Sequence, residues 1–132
     1  MELARVALGA GLPAEPQRLR ETIVLQVRKH IEMHLQDPEL TPRAIALAHA
    51  ISVRTLHEAF ELTGESVGAL IRRRRLERCY ADLLTPSDDT VSDVARRWGF
   101  RDSSYFSRAF RRHYGVAPRE LRSTRGLPAT AP

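Results

Sequence analysis

The sequence predicts an all-α fold in which two helix-turn-helix units are joined by a long helix, with about seven helices in total. Apolar residues recur at helical spacing along the chain, and no stretch shows the alternation of a strand. One helix-turn-helix pattern also occurs twice, about 50 residues apart. We expect this domain to span residues 17–125, with residues 1–16 as a lead-in from a preceding domain and residues 126–132 as a disordered tail.

The first helix is predicted to begin at Pro16 and to end before Asp37-Pro38, because the residue before a proline disfavours the helical conformation. Its apolar positions recur every four residues, which is typical of an amphipathic helix that packs one face on a core. These positions are Leu19, Ile23, Val27, Ile31 and Leu35.

Each copy of the repeated pattern has an alanine, a small residue four positions later, a polar helix cap and then two apolar residues four positions apart. The small residue ends one helix, the cap starts the next, and the apolar pair packs the second helix on the first. Helix starts at Thr41-Pro42 and Thr90 precede the two copies. The copies consist of Ala46, Ala50, Ser52, Leu56 and Phe60, and of Ala95, Gly99, Asp102, Phe106 and Phe110.

The segment between the copies predicts a helix from Ser66 to about Leu84, which would span about 28 Å. Its apolar residues form two stripes roughly half a turn apart, so we expect its two halves to pack on different units. Cys79, in the second stripe, is the only cysteine, which excludes an internal disulfide and favours a buried thiol. The first stripe is Val67, Leu70 and Ile71, and the second is Leu76, Cys79, Tyr80 and Leu83.

Positive charge is concentrated towards the C-terminus. Residues 91–132 carry a net charge of +6, against −1 for residues 1–90, and Arg72 to Arg75 form a basic run. This distribution indicates a polyanionic partner, most simply nucleic acid. No apolar run approaches the roughly 18 residues of a membrane helix and no secretory signal is recognisable, which predicts a cytoplasmic protein without a membrane partner.

The second helix of each copy carries polar residues opposite its apolar pair, where they would face the base edges of a major groove. The first copy presents Arg54 and Glu58 with His57 at the border, and because Glu58 and Glu61 oppose Arg54 we expect it to contribute less affinity. The second copy presents Ser104, Ser107, Arg108 and Arg111. Other arginines are expected to contact phosphates, which positions a protein without reading sequence. These are Arg72, Arg73, Arg75, Arg96, Arg97 and Arg112.

The stretch GFRDSSYFSRAFRRHYGVAP, residues 99–118, resembles the C-terminal signature of the AraC/XylS-type bacterial transcription regulators. The similarity extends upstream through TVSDVARRWGF, IRRRRLERC and ISVRTLHEAF, and covers roughly residues 20–122. It implies a seven-helix DNA-binding domain that inserts two recognition helices into successive major-groove faces of double-stranded DNA and commonly activates transcription through RNA polymerase. By position it implies base-reading roles for Arg54, His57, Glu58, Ser103, Ser104, Ser107 and Arg108.

Two residues depart from the family pattern. Ala50 stands where the family often has glycine, which predicts a tighter or differently shaped first turn. Ala117 stands where serine or threonine often caps the last helix, and the missing cap would cost about 1 kcal/mol. The fragment itself is expected to be a monomer or weak dimer.

Two other functions remain open at this point. The acidic first recognition helix would suit a protein-interaction module that docks on RNA polymerase without specific DNA reading. A lone Cys79 is all that would support an alkyl-transfer enzyme, and we expect no enzymatic activity. His30 and His34 lie four residues apart, but no third ligand is apparent, so neither a metal site nor a cofactor is expected.

Overall fold

A computed structural model of the chain describes residues 15–124. Seven α-helices and no strand lie within this range, which confirms the all-α prediction. The predicted tail, and the predicted lead-in apart from its last two residues, lie outside the described residues. The helices are α1 (Glu15–His34), α2 (Pro42–Ala48), α3 (Val53–Glu61), α4 (Val67–Leu84), α5 (Val91–Arg97), α6 (Ser103–Tyr114) and α7 (Pro118–Thr124).

The described chain forms two compact units. The first unit comprises residues 15–33 and 41–67, and the second comprises residues 34–40 and 68–124. Each unit contains one copy of the repeated pattern, with α2 and α3 in the first and α5 and α6 in the second.

In the first unit, α1 buries Ile23, Val24, Val27 and Ile31, as its helical pattern predicts. Leu19 is 59% exposed, so its predicted place in the core is wrong. A four-residue spacing drifts by about 40° per repeat on a helix that turns about 100° per residue, and the first position of a long stripe therefore rotates off the buried face. Helices α2 and α3 of the same unit bury Ile45, Ala46, Leu56, Ala59 and Phe60.

The two turns that join the paired helices have the same backbone form. Ala50 has a φ of +57° and Gly99 a φ of +90°, both left-handed. In each turn, the residue that follows donates its N–H to the carbonyl of the buried alanine five positions earlier, at 3.0 Å. The expectation of a differently shaped first turn is wrong, because this hydrogen bond fixes the turn even when the left-handed residue has a Cβ.

Glycine at position 50 is expected to stabilise the domain. A Cβ in the left-handed region costs about 1–2 kcal/mol, which glycine would relieve. The greater freedom of glycine in the unfolded chain offsets about 0.5–1 kcal/mol of this relief. We therefore expect Ala50→Gly to raise the free energy of unfolding by about 0.5–1 kcal/mol in urea titrations. The matched control Ala48→Gly, in helical backbone, should lower the free energy of unfolding by about 0.5–1 kcal/mol. A loss of that size for Ala50→Gly would show that Ala50 is not strained.

The second unit has a core of its own, built by α4, α5 and α6. Leu76, Cys79 and Leu83 of α4 belong to it, whereas Val67, Leu70 and Ile71 are buried but are not part of this cluster. Burial raises the pKa of the Cys79 thiol to about 12, so this thiol stays protonated and buried, as predicted. The core also contains Val94, Ala95, Phe100, Phe106, Ala109 and Phe110.

Polar side chains cap the helices that carry the pattern. Thr41, Ser52 and Asp102 each accept a hydrogen bond from a backbone N–H of the helix that follows. Thr90 forms a full capping box with Asp93, with 3.0 Å for both bonds. The last helix lacks such a hydroxyl at Ala117, but the Glu120 carboxylate accepts from the Ala117 N–H at 3.0 Å, which retains half of a capping box.

Candidate nucleic-acid interface

Helix α6 separates an aromatic face from a polar face. Phe106, Ala109 and Phe110 are buried, and the Phe106 and Phe110 rings lie 5.6 Å apart between centroids. Asp102 accepts hydrogen bonds from the N–H groups of Ser104 and Tyr105, at 2.9 and 3.1 Å, and fixes where the helix begins. The predicted base-reading residues of this copy are all solvent-exposed: Ser104, Ser107, Arg108 and Arg111 lie away from the aromatic face, and Ser103 borders it.

The arginines of α6 differ in their surroundings. Arg111 lies 3.6 Å from Glu120 of α7 and is 67% exposed. Arg108 and Arg112 are exposed and form no ion pair with another residue of the described range 15–124. These two guanidinium groups therefore have their donors available to a ligand, whereas Arg111 would first have to leave a carboxylate.

A groove of about 220 Å³ lies beside α6, between the first turns of α5 and α7. Its polar lining is made of Ser92, Ser103, Ser107 and Arg119. Sequence reasoning did not single out Ser92 or Arg119, because it considered only the outward arc of the second helix. The signal was present, since both residues directly follow a helix start, at Thr90-Val91 and at Pro118.

Helix α3 is the counterpart of α6 in the first unit. It buries Leu56, Ala59 and Phe60 and leaves Arg54 and His57 exposed. The Arg54 Nε lies 3.3 Å from a Glu58 oxygen, one helical turn away. These two predicted base-reading residues therefore bind each other in the structure.

The surroundings of α3 are acidic. A groove of about 380 Å³ beside the helix is lined by His57, Glu61 and Glu65, together with residues of the loop that follows. Carboxylates in such a groove repel phosphate groups and attract cations. The expectation that the first copy contributes less affinity for a polyanion rests on this contrast with α6.

The predicted phosphate-contacting arginines do not share one environment. Arg72 is exposed, Arg73 lies 3.4 Å from Glu77, and Arg96 is 75% exposed at 3.6 Å from Asp93. Arg97 binds Asp89 and also donates to Asp82 at 2.8 Å, and these hydrogen bonds raise its pKa. Arg97 therefore anchors the loop before α5.

The structure contradicts the prediction for Arg75. This side chain is 9% exposed and donates hydrogen bonds to the backbone carbonyls of Leu35, at 2.9 Å, and Asp37, at 2.6 Å. A helix of 3.6 residues per turn exposes only part of four consecutive arginines, and Arg75 is the one that turns inward. It is unavailable to a phosphate.

A family model described as a helix-turn-helix domain matches residues 45–124, more than half of the chain. The sequence relatives are named as transcriptional activators, and one similar solved structure is described as a probable AraC family transcriptional regulator. The chain belongs to the AraC-type helix-turn-helix family. This family consists of DNA-binding domains of transcription regulators, not of enzymes.

Two curated relatives illustrate how this AraC-type domain relates to longer proteins. The transcriptional activator NphR of a Rhodococcus species is 41% identical over 93 residues, which is 70% of this chain and 28% of NphR. The HTH-type transcriptional activator RhaS of Enterobacter strain 638 is 35% identical over 124 residues, which is 93% of this chain and 42% of RhaS. The chain thus spans less than half the length of these relatives.

Solved structures share the fold of this AraC-type domain. The C-terminal domain of AraT, a response regulator from Geobacillus stearothermophilus, has a TM-score of 0.73 and 28% identity, and covers 83% of this chain and 91% of its own. A probable AraC family transcriptional regulator from Rhodopseudomonas palustris has a TM-score of 0.72 and 27% identity, with 79% and 97% covered.

Other kinds of site find little support in the AraC-type domain. The His30 ring lies 5.0 Å from the His49 ring in an edge-to-face arrangement. Across residues 15–124, no three His, Cys, Asp or Glu side chains are grouped so that they could hold a metal ion. No described helix is long and apolar enough to cross a membrane.

Proposed function

We propose that this chain binds double-stranded DNA in a sequence-specific manner and regulates transcription as an activator. The observation that carries the proposal is the twin helix-turn-helix, in which each second helix buries an apolar face and exposes a polar one. The names of NphR and RhaS, both activators, support the sign of regulation. The two recognition helices, α3 and α6, are expected to enter successive major-groove faces.

Helix α6 supplies most of the base recognition in this proposal. The exposed Arg108 can bind a guanine edge with two hydrogen bonds, and Ser103, Ser104 and Ser107 can bond several bases. Other exposed groups contact phosphates and fix the register on the duplex. We assign this role to Arg72, Arg96 and Arg112, and add Ser92 and Arg119 from the groove beside α6.

Helix α3 recognises bases through a pair that must rearrange. Glu58 can accept a hydrogen bond from a cytosine amino group, and Arg54 can bind guanine or phosphate, once their mutual ion pair opens. Exposed ion pairs on a helix are worth only about 0.3–0.5 kcal/mol, so this opening is not a large barrier. His57 is the third base-facing residue of this helix.

Arg108→Ala tests the central claim. Loss of one bidentate base contact is worth about 1–3 kcal/mol, so affinity for the preferred duplex should fall by about 5- to 150-fold. Discrimination should relax at one base position, as measured by selection from a random duplex library and gel shifts at fixed salt. Arg28→Ala, an exposed arginine of α1 outside the interface, removes the same charge and should keep the full preference. An unchanged preference in Arg108→Ala would refute its role.

The proposal also covers partners and location. We place the protein in the cytoplasm, acting on RNA polymerase once bound to DNA, with the isolated domain a monomer or weak dimer. The rival function, a module that docks on RNA polymerase without specific DNA reading, rests on the acidic surroundings of α3 alone. Capture of polymerase without any shift of a selected duplex would favour that rival.

A further inference from the structure

Arg75 occupies a position that does not suit a solvent-facing cation. Its Nε and Nη2 atoms donate to the carbonyls of Leu35 and Asp37, which lie one and three residues beyond the end of α1. A buried guanidinium needs hydrogen-bond acceptors to offset its loss of water, and these two backbone carbonyls supply them. The guanidinium therefore binds and orients residues 34–40, the short segment that belongs to the second unit.

The flat face of the same guanidinium lies against the backbone of Gly99. A Cβ at Gly99 would come within 2.7 Å of the Arg75 Cζ and Nη2 atoms and within 2.8 Å of Nε. Gly99 is the left-handed residue of the turn between α5 and α6, three residues before the cap Asp102. Arg75 thus touches the backbone from which the recognition helix α6 projects.

A second arginine connects the same two segments. Arg101, directly before the cap of α6, forms an ion pair with Glu39 of the segment 34–40. Burial lowers the pKa of Arg75, and the nearby Asp37 carboxylate opposes that shift. Keeping a cation at this buried position costs desolvation energy that an apolar side chain would avoid. An apolar residue could not donate hydrogen bonds to two carbonyls while placing a planar group against the backbone of Gly99.

We propose that Arg75 is a positioning residue that sets the turn at Gly99 and thereby the placement of α6 in the DNA groove. This inference deepens the proposed function and rests on it. Arg75 does not contact DNA itself, and it acts through residues 34–40 and the turn at Gly99. Its loss should therefore affect base reading by α6 and leave base reading by α3 and the count of neutralised phosphates unchanged.

The salt dependence of binding separates positioning from phosphate contact. Each neutralised phosphate contributes about 0.9 to the slope of log affinity against log salt concentration. Arg75→Met should weaken binding to the preferred duplex by about 5- to 150-fold, the value of one base contact, with an unchanged slope. Discrimination should relax at the base positions read by α6 only. The matched control Arg72→Ala, an exposed neighbour in the same run, should reduce the slope by about one and keep discrimination.

Arg75→Lys covers the case in which Arg75→Met does not fold. A lysine keeps the charge, so it would retain binding if Arg75 contacted phosphate, but it cannot bond both carbonyls while lying flat on Gly99. We expect Arg75→Lys to lose discrimination at the base positions read by α6 and to keep the wild-type slope of log affinity against log salt concentration. The measurement is made at a temperature where circular dichroism shows that the variant is folded. Wild-type discrimination in either variant, or a slope reduced as in Arg72→Ala, would overturn the inference. An absence of specific binding by the wild-type chain would instead defeat the proposed function.

Discussion

Replacing Gly99 by alanine is expected to lower the free energy of unfolding by about 1.5–4 kcal/mol. The left-handed φ of +90° costs an alanine about 1–2 kcal/mol, of which the smaller freedom of alanine in the unfolded chain offsets about 0.5–1 kcal/mol. The new Cβ would also meet the Arg75 guanidinium at 2.7 Å, and forcing such a group aside in a packed site costs about 1–3 kcal/mol more. Urea or thermal unfolding monitored by circular dichroism measures the loss.

Two comparisons separate the strain of the turn from the clash with Arg75. Gly115→Ala has a similar φ of +79° but open space around its Cβ, so it should lose only about 0.5–1 kcal/mol. In an Arg75→Ala background, Gly99→Ala should likewise cost only about 0.5–1 kcal/mol, because the clashing group is gone. Equal losses for Gly99→Ala in both backgrounds would show that the guanidinium does not press on the turn.

Phe110→Ala is expected to lower the free energy of unfolding by about 3–5 kcal/mol, the usual cost of removing a buried phenylalanine. Phe110 is fully buried, and its ring centroid lies 4.8 Å from that of Tyr114 and 5.6 Å from that of Phe106. The cavity would open directly beneath the polar face of α6. Chemical denaturation at fixed pH gives the size of the loss.

The control for this change is Tyr105→Ala on the same helix. The Tyr105 side chain is 41% exposed, with its ring 6.3 Å from that of Phe100, so its removal should cost less than about 1.5 kcal/mol. A loss at Phe110 no larger than that at Tyr105 would mean that the aromatic face does not hold α6 on the second unit.

Local chemistry explains why so much of the fold was predictable. The start of a helix depends on the capping residue and the next three residues. Ser52, Thr90 and Asp102 therefore predict helix starts that the structure contains. Likewise, the angle between positions on one helix decides which side faces the core. That angle alone predicts that Arg108 faces outward and Phe110 inward, as the structure has them.

The parts that sequence reasoning missed depend on residues distant in the chain. Arg75 turns inward because carbonyls 40 and 38 positions earlier accept its hydrogen bonds, and no local pattern encodes that encounter. The turn at Ala50 differs from its prediction for a local reason instead. The missing glycine predicts another shape, whereas the hydrogen bond from the Ile51 N–H to the Ala46 carbonyl fixes the left-handed turn with alanine in place.

The division of the chain has a consequence for how such a domain can be cut and recombined. Residues 34–40 belong to the second unit although they precede most of the first, so the polypeptide passes from one unit to the other and back before α4 begins. A truncation at residue 68 would yield the complete second repeat by sequence, yet it would remove both carbonyl partners of Arg75. The two units are thus interleaved in the sequence, and neither can be transferred to another protein as one continuous segment.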